Sequence, residues 1–408
     1  MEKIYDALIE VGLTTESRKI PFFSDEPKFH NFYCEPNLLA NKKYEIQDVF
    51  GQGYDSNPKV AKIKAVGEAL ERLCQCNPGG TFLDSKYKNQ KNFIKPSSFF
   101  CYSEEQVPNK EEIMNQLDSG TYRWVLSKNL TTGEEIYIPA QVIFLSDNFN
   151  NEYNLRKEQI STGAALGKIG EKRAFKSGFL ESIERDGVMG FYLQGWKGRK
   201  IKDFSKSNQK LIDYLVRYNL KTHIFDATSD LKIPTIFALT LDKTGIGNAV
   251  SIGSKTDLNY KDAIKGAIME SIQCRRLDRI AANQKPFNKI PKESEIHSLE
   301  DRSIYWSTKE SIENLNYLIN EEPKKSYQKI KEKSLTLNEA VQKVRDKNFQ
   351  IIETDITLPE VKKQGFEVLK ITIPELHPMF LDEGAKSLES IHYGKIKNNP
   401  KLKPHPVT

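Results

Sequence analysis

Apolar residues recur at helical spacing in three long stretches of this chain. The first stretch carries Val60, Ile63, Val66, Leu70 and Leu73 after an Asn-Pro start, which predicts a helix over about residues 59–74. A second helix is expected over about residues 172–193 and a third over about residues 260–280. The second is long enough to be a central element of the fold.

Shorter apolar runs between turn residues predict strands and smaller helices around these three. The strands cover residues 122–126, 136–144, 221–225 and 235–241, and a helix covers 209–218. A late unit has the pattern of helix 337–345, strand 349–356, helix 358–364 and strand 367–373. This mixture predicts an α/β (mixed α+β) fold with β-sheets flanked by helices. We expect an N-terminal segment (1–50) packed on the core and one large domain (51–408) ending in a proline-rich tail.

Composition narrows the class of protein. The 408 residues include 61 basic and 55 acidic side chains, a net charge of +6, and the lysines are spread along the whole sequence. A nucleic-acid-binding protein more typically gathers its basic residues into one stripe, so no nucleic-acid partner is expected. The five cysteines contain no Cys-x-x-Cys pair, which argues against a zinc site and a disulfide framework. No signal peptide or membrane span is visible, which indicates a cytoplasmic protein.

The three long helices share one chemical pattern. A glycine-bearing segment precedes each helix, two acidic or amide groups follow three residues apart, and an arginine comes just after them. The sets are Glu68, Glu71 and Arg72; Glu181, Glu184 and Arg185; and Glu270, Gln273 and Arg275. Residues at i and i+3 share a helix face, so each helix can direct two oxygen-bearing side chains at a common point. Carboxylates and arginines meeting there would hold hydrated Mg²⁺ and a polyphosphate.

The same pattern has a simpler interpretation, in which these side chains form solvent-exposed helix faces and not a phosphate site. A single Glu-x-x-Glu on a helix is usually a solvated face, and Arg72 has Glu68 four residues before it as an intrahelical partner. Two observations favour a buried site instead. The pattern recurs three times, and Glu181 and Glu184 lie in a helix whose other faces are apolar.

A glycine-rich stretch before the second helix is superficially similar to a P-loop. It runs from Gly163 to Ile169, but Thr162 occupies the first glycine position and Ile169 replaces the hydroxyl that would bind Mg²⁺. No Ser-His-Asp or Cys-His arrangement stands out elsewhere, and His223 and His377 are most simply structural. The three acidic helices are therefore the credible phosphate site in this sequence.

In their order and spacing, these motifs resemble the ATP site of the YcaO superfamily. That site is built from helices carrying Ser-x-x-Glu-x-x-Glu-Arg, Glu-x-x-Glu-Arg and Glu-x-x-Gln-x-Arg. Here they stand as Ala65-x-x-Glu68-x-x-Glu71-Arg72, Glu181-x-x-Glu184-Arg185 and Glu270-x-x-Gln273-x-Arg275. The resemblance covers about residues 50–408. The segments Ser161 to Gly167 and Pro374 to Pro378 resemble the branch that makes thiazoles and oxazoles in ribosomal peptides.

The resemblance implies a YcaO-like fold with a central ATP site and an ATP- and Mg²⁺-dependent cyclodehydratase. Such an enzyme phosphorylates a backbone amide oxygen of a precursor peptide after attack by Cys, Ser or Thr, and an azoline ring remains. By the same resemblance, Glu184, Arg185 and Arg275 would be catalytic. The glutamates, Gln273 and the three arginines would bind the nucleotide, and Glu68, Glu71, Glu181 and Glu184 would hold the metal.

The resemblance also implies partners. No fused leader-binding domain is recognisable, so a separate leader-peptide-binding or activating protein is expected, together with a flavin dehydrogenase and a homodimer at the centre of the complex. Three positions depart from the family pattern: Ala65 replaces a usual Ser, Gln52 stands where Gly-Lys-Gly is common, and Arg173 where an acidic residue is often found. The tail keeps Pro404 and Pro406 of a Pro-x-Pro-x-Pro ending. A thioamide-forming enzyme and a degenerate, non-catalytic scaffold therefore stay open as alternatives.

Overall fold

The structure is a computed structural model. It describes residues 12–36, 49–79, 82–87, 92–145, 149, 151–155, 161–195, 199–244, 249–284, 289–330, 334–397, 399 and 402–407. The chain divides into two compact units. The first unit comprises Met1–Ser24, Lys28–Ser182 and Val344–Glu375, and the second comprises Asp25–Pro27, Ile183–Lys343 and Leu376–Thr408. The predicted boundary between residues 50 and 51 stays a prediction.

The first unit contains two antiparallel sheets. One consists of β1 (Arg18–Lys19), β2 (His30–Cys34) and β3 (Gly51–Asp55), paired in that order. The other consists of β4 (Leu83–Lys86), β5 (Thr121–Asn129), β6 (Glu135–Pro139), β7 (Ala164–Lys168), β13 (Ile352–Asp355) and β14 (Phe366–Thr372). Its strand order is β4-β5-β13-β14-β7, with β6 beside β5. The late strands of the chain thus lie between strands from its first half.

The helices of the first unit include α1 (Pro58–Cys76), α2 (Lys110–Ser119) and α10 (Pro359–Lys363), with short 3₁₀ turns at Pro96–Phe99 and Ala140–Val142. Two helices have residues in both units: α3 (Arg173–Leu193) and α9 (Leu337–Arg345). The start of α1 is set locally, because the Asn57 side chain accepts a hydrogen bond from the Lys59 N–H at 2.9 Å and Pro58 takes the first turn. Its buried face, including Leu70 and Leu73, joins a core with Trp124.

The second unit is built around the antiparallel sheet β11-β10-β9. Its strands are β8 (Ile201–Lys202), β9 (Leu220–Asp226), β10 (Thr235–Asp242), β11 (Val250–Thr256), β12 (Lys325–Ser326), β15 (Glu389–Ser390) and β16 (Gly394–Lys395). Its helices are α4 (Lys206–Val216), α5 (Tyr260–Gln284), α6 (Leu299–Tyr305), α7 (Asn316–Ile319) and α8 (Tyr327–Ile330), with 3₁₀ turns at Glu293–Glu295, Glu310–Leu315 and Glu383–Ala385. Helix α5 packs along β10 and β11, and Phe225, Phe237 and Trp306 contribute to the core.

The mixed α/β fold and the three long helices are confirmed, and two of the boundaries that differ from the prediction have a clear local cause. The strand predicted over 136–144 ends at Pro139 and is followed by a 3₁₀ turn, because proline has no N–H with which to continue the sheet. The helix predicted over 209–218 begins at Lys206, since the Ser205 hydroxyl accepts a hydrogen bond from the Asn208 N–H at 3.3 Å and caps it there.

The described part of the tail, residues 402–407, has no regular secondary structure and packs within the second unit. Pro404, His405 and Pro406 are buried, and the His405 carbonyl accepts a hydrogen bond from Arg302 Nη1 at 2.7 Å. Pro400 and Thr408 lie outside the described residues. No helix in the described ranges combines the length and the apolar character that crossing a membrane requires. The cytoplasmic location stays a prediction.

Candidate functional site

The three predicted stretches form the same strand–helix arrangement. In each, the first glutamate of the helix accepts a hydrogen bond from a backbone N–H of the glycine-bearing segment 16 or 18 residues upstream. The donors are Gln52 N to Glu68 Oε2 at 3.0 Å, Gly163 N to Glu181 Oε2 at 3.0 Å, and Ser254 N to Glu270 Oε2 at 2.6 Å. The carboxylate thus ties each helix to the backbone beside it.

The glycines in these segments are explained by close packing. A Cβ at Gly53 would lie 1.7 Å from the Ala61 carbonyl oxygen of α1, and a Cβ at Gly253 would lie 2.3 Å from the Ala267 carbonyl oxygen of α5. Any larger residue would push the strand away from its helix, beyond reach of the glutamate. The glycine allows the segment to approach the helix closely, and the first glutamate of the helix then accepts the hydrogen bond that joins the two.

The first acidic cluster consists of Glu68, Glu71 and Glu181, all in the first unit. Burial and then repulsion by the other two carboxylates raise the pKa of Glu71 well above its usual range. Burial also raises the pKa of Glu68, although Arg72 and the Gln52 N–H act in the opposite direction. Arg72 Nη2 lies 3.6 Å from Glu68 Oε1, so its positive charge offsets only part of this crowding.

Crowded carboxylates of this kind suit a divalent cation, because a cation would relieve the repulsion that raises the pKa of Glu71. Within the described ranges, no group of three or more His, Cys, Asp or Glu side chains is already arranged to hold a metal ion. Carboxylate oxygens are the ligand type that Mg²⁺ prefers, but the assignment of Glu68, Glu71, Glu181 and Glu184 as metal ligands stays a prediction.

The second acidic cluster consists of Glu184 and Glu270 in the second unit. Glu184 is 2% exposed and uses both oxygens: Oε1 accepts from the Ser254 hydroxyl and Oε2 from the Thr256 N–H, each at 2.8 Å. Burial alone would raise the pKa of Glu184, but Lys255, Arg185 and the two hydrogen bonds together hold that pKa below its ordinary value. Burial and the neighbouring Glu184 raise the pKa of Glu270 to about 7.

Arg275 forms a buried ion pair, and the nucleotide-binding and catalytic roles predicted for it stay predictions. It is 2% exposed, and its Nε and Nη2 both donate to Asp242 Oδ2, at 2.8 and 2.5 Å. Asp242 is equally buried, and its Oδ1 accepts from the N–H and hydroxyl of Thr244. The pair joins α5 to the end of β10. Gln273 is half-buried on α5, three residues after Glu270.

Two lysines that the sequence reasoning missed face the clusters. Lys370 of β14 is only 3% exposed and acts electrostatically on Glu71. Lys255 of β11 places its Nζ 3.6 Å from Glu184 Oε2. The signal for Lys370 was available, because a lysine inside the apolar strand run Val-Leu-Lys-Ile needs a buried partner. Nothing local distinguished Lys255 from the other lysines of the chain.

Asp186, next to Arg185 on α3, was also missed. It is completely buried and accepts hydrogen bonds from the His377 N–H and from His392 Nδ1, both at 2.9 Å, and from the Tyr393 hydroxyl at 3.2 Å. The ring nitrogens of His377 lie 2.8 and 3.0 Å from two backbone carbonyl oxygens. These contacts agree with a structural role for His377 and hold Asp186 in place beside Arg185 on α3.

The three departures from the family pattern have distinct surroundings. Ala65 is fully buried under β3, where a Cβ at Gly51 would come within 2.0 Å of its carbonyl oxygen. The Gln52 amide donates through Nε2 to Asn31 Oδ1 at 3.1 Å. Arg173 is exposed at the start of α3. At these three positions, the contact with the acidic clusters is made by the Gln52 backbone N–H, which donates to Glu68.

Solved structures with a similar fold were found across most of the chain. A heterocyclase in complex with substrate and cofactor aligns with a TM-score of 0.71 and 19% identity, over 92% of this chain and 52% of that one. The YcaO protein from Methanopyrus kandleri, bound with AMPPCP and Mg²⁺, aligns with a TM-score of 0.67 and 15% identity, over 98% of this chain and 95% of that one. A chain of the E. coli microcin synthetase McbBCD complex aligns with a TM-score of 0.69 and 16% identity, over 96% of this chain and 96% of that one. At these identities the likeness shows the fold.

Sequence comparison identifies the family. An uncharacterized protein from Methanothermobacter thermautotrophicus is 24% identical over 221 residues, which is 53% of this chain and 54% of that relative's length. The chain thus spans about half the length of this curated relative. A family model described as YcaO cyclodehydratase, ATP- and Mg²⁺-binding, matches residues 52–377. Because that match takes in most of the chain and all three acidic helices, the protein belongs to the YcaO cyclodehydratase family.

Proposed function

We propose that this protein is an ATP- and Mg²⁺-dependent cyclodehydratase that converts Cys, Ser or Thr residues of a ribosomally made precursor peptide into azolines. The observation that carries the proposal is the threefold strand–helix arrangement, in which a glutamate accepts a hydrogen bond from a glycine-bearing segment. It occurs within the region that matches a family of ATP- and Mg²⁺-binding cyclodehydratases.

Each acidic cluster contributes to magnesium–ATP binding in this proposal. Glu68, Glu71 and Glu181 would hold the cation, because their carboxylates are crowded and their repulsion raises the pKa of Glu71. Arg72 and Arg185 would offer N–H donors to phosphate oxygens, in the planar geometry that phosphate groups prefer. When bound, magnesium–ATP supplies the phosphoryl group with which the amide oxygen leaves, so that one water is lost in net terms.

The catalytic and positioning roles are assigned to residues of the second unit. Glu184 is held in one orientation by Ser254 and Thr256, so its negative charge is fixed beside Arg185 and Glu270. Such a preorganised charge is the form in which buried groups stabilise a reacting centre. We assign the catalytic roles to Glu184 and Arg185. Arg275, through its pair with Asp242, acts as a positioning residue for α5.

The substrate and partners follow from the same proposal. A heterocyclase of similar fold was solved with substrate and cofactor, and a microcin synthetase of similar fold was solved as the McbBCD complex. We propose a peptide substrate, a separate leader-binding partner, a flavin dehydrogenase in the same complex and a homodimer of this chain at its centre. The similar folds support the peptide substrate and the partner protein, and the family resemblance of the sequence supports the flavin dehydrogenase and the homodimer.

Mass spectrometry of a reconstituted reaction tests the function. The full chain would be mixed with ATP, Mg²⁺, a short Cys/Ser/Thr-rich peptide encoded beside its gene and the neighbouring partner protein. A loss of about 18 Da per modified residue is expected, whereas the thioamide-forming alternative would add about 16 Da by the same amide activation. The double variant Glu181→Gln/Glu184→Gln should make no product. Unchanged ring formation in that variant would contradict the proposed site, and binding of the partner without ATP binding would favour a scaffold.

A further inference from the structure

A cavity of about 240 Å³ lies in the second unit, and its lining includes none of the residues of the acidic clusters. Its walls come from α3, from Arg199, from residues 227–230, and from His392 and Tyr393. Two α3 glycines line one wall; a Cβ at Gly190 would come within 2.3 Å of the Tyr393 ring, so the ring lies directly against the helix. The volume is below the ~300–1,000 Å³ of drug-sized sites, which indicates a small ligand.

The positive charge at this cavity belongs to Arg199. One of its N–H groups, on Nη1, donates to the Thr228 carbonyl oxygen at 2.7 Å, and its Cζ lies 5.9 Å from the centroid of the Phe191 ring. These two contacts hold the guanidinium in one orientation. In the described part of the chain, no acidic side chain pairs with Arg199, so the other N–H groups of its guanidinium remain for a ligand. A carboxylate can accept two parallel hydrogen bonds from a guanidinium and therefore suits this position.

The negative charge at the same cavity belongs to Asp230. Its Oδ1 lies 2.6 Å from His392 Nε2, and His392 Nδ1 lies 2.9 Å from the buried Asp186. The His392 side chain is 3% exposed, whereas that of Asp230 is 55% exposed. The buried histidine therefore fixes a carboxylate that faces solvent. Asp186 and Asp230 raise the pKa of His392, which compensates part of this charge, and the exposed carboxylate of Asp230 would attract an ammonium group.

From this pairing of charges we propose that the cavity binds a free α-amino acid. The carboxylate of the ligand would lie on Arg199 and its ammonium group on Asp230. Phe191, Tyr393 and Ala227 form the apolar part of the remaining wall, beside the polar Gln194 and Ser229, so we assign a side chain of leucine size to this part of the cavity. The proposal concerns a site separate from the nucleotide chemistry, and it stands or falls independently of the proposed function.

Calorimetry with the full-length chain, free of nucleotide, tests the ligand chemistry. L-leucine is expected to bind saturably with a millimolar or tighter dissociation constant. N-acetyl-L-leucine lacks the ammonium group and L-leucinamide lacks the carboxylate, so each should bind about 10-fold more weakly or worse. Inorganic phosphate should not compete. Absence of saturable leucine binding, equal binding of all three compounds, or displacement by phosphate would overturn the proposal.

Two variants and a matched control test the residues. Arg199→Gln and Asp230→Asn should each weaken leucine binding by about 10-fold or more, since each removes a charged hydrogen-bond partner. Arg217→Gln is the control, because Arg217 also lies over an aromatic ring, with its Cζ 5.8 Å from the Tyr214 centroid, but does not line the cavity. Thermal melting would show that the variants are folded. Unchanged affinity in both cavity variants, or equal loss in the control, would contradict the assignment.

Discussion

The two acidic clusters are built on the same strand–helix arrangement, yet they balance their charges in opposite ways. In the first cluster, three glutamates face one another, and burial and repulsion raise the pKa of Glu71 well above its usual range. In the second, Glu184 accepts two hydrogen bonds beside Lys255 and Arg185, and its pKa is lowered despite complete burial. The comparison teaches that Arg72 and Lys370 leave the charge of the first cluster under-compensated, so that it favours an added cation, whereas Lys255, Arg185 and two hydrogen bonds compensate Glu184 in the second.

The largest effect is expected from breaking the buried ion pair of the second unit. Arg275→Met would leave Asp242 buried without its guanidinium partner, and removing one member of a buried pair costs about 3–5 kcal/mol of the free energy of unfolding. Denaturant unfolding would measure the loss. The double variant Arg275→Met/Asp242→Leu should recover much of it, because no unpaired charge remains. A single variant as stable as the parent would show that this cation does not stabilise the unit.

The next effect concerns activity rather than folding. Glu184→Gln removes the fixed charge of the second cluster but keeps the shape of the side chain, so kcat for ATP-dependent ring formation should fall roughly 100-fold. Phosphate release coupled to peptide modification would measure it. Glu171→Gln, an exposed glutamate just before α3, is the matched control and should retain full activity. Equal activity of the two variants would remove Glu184 from the reaction.

A pair of variants in the first cluster should shift magnesium dependence in opposite directions. Glu71→Gln removes a negative charge and should raise the Mg²⁺ concentration needed for half-maximal ATP binding by about 10-fold. Lys370→Met removes the buried positive charge and should lower that concentration several-fold. Lys370→Arg keeps the charge and serves as the control. Shifts in the same direction for both variants would contradict an electrostatic account of the cluster.

The smallest effect is a pH dependence from Glu270. Its pKa in the folded protein, about 7, lies above the ordinary value, so the folded state holds the proton more tightly than the unfolded state. The resulting stabilisation is complete below the unfolded pKa and is lost as pH rises through about 7. Without Mg²⁺ and nucleotide, the melting temperature should fall by about 2 °C between pH 6 and pH 8. Glu270→Gln should reduce this fall by the Glu270 contribution and leave that of Glu71, and an identical pH profile in the variant would exclude Glu270 as a source.

Much of the helical architecture was accessible from the sequence because its causes are local. The start of α1 depends on Asn57 and Pro58, which are adjacent in the chain, and its apolar stripe follows helical spacing. Errors arose where a single residue overruled the pattern, as Pro139 did for the strand predicted over 136–144. The pairing of β13 and β14 with strands from residues 121–168 could not be predicted, because no local pattern specifies partners so distant in sequence.

The sequence by itself determined which carboxylates share a helix face, because i and i+3 spacing is a property of the helix alone. Only the tertiary structure decided what each carboxylate does. Glu68, Glu181 and Glu270 accept hydrogen bonds from backbone N–H groups 16 or 18 residues upstream, and Arg275 meets Asp242, 33 residues away. Charge compensation depends on distance and burial, and folding brings the compensating groups close from remote parts of the chain.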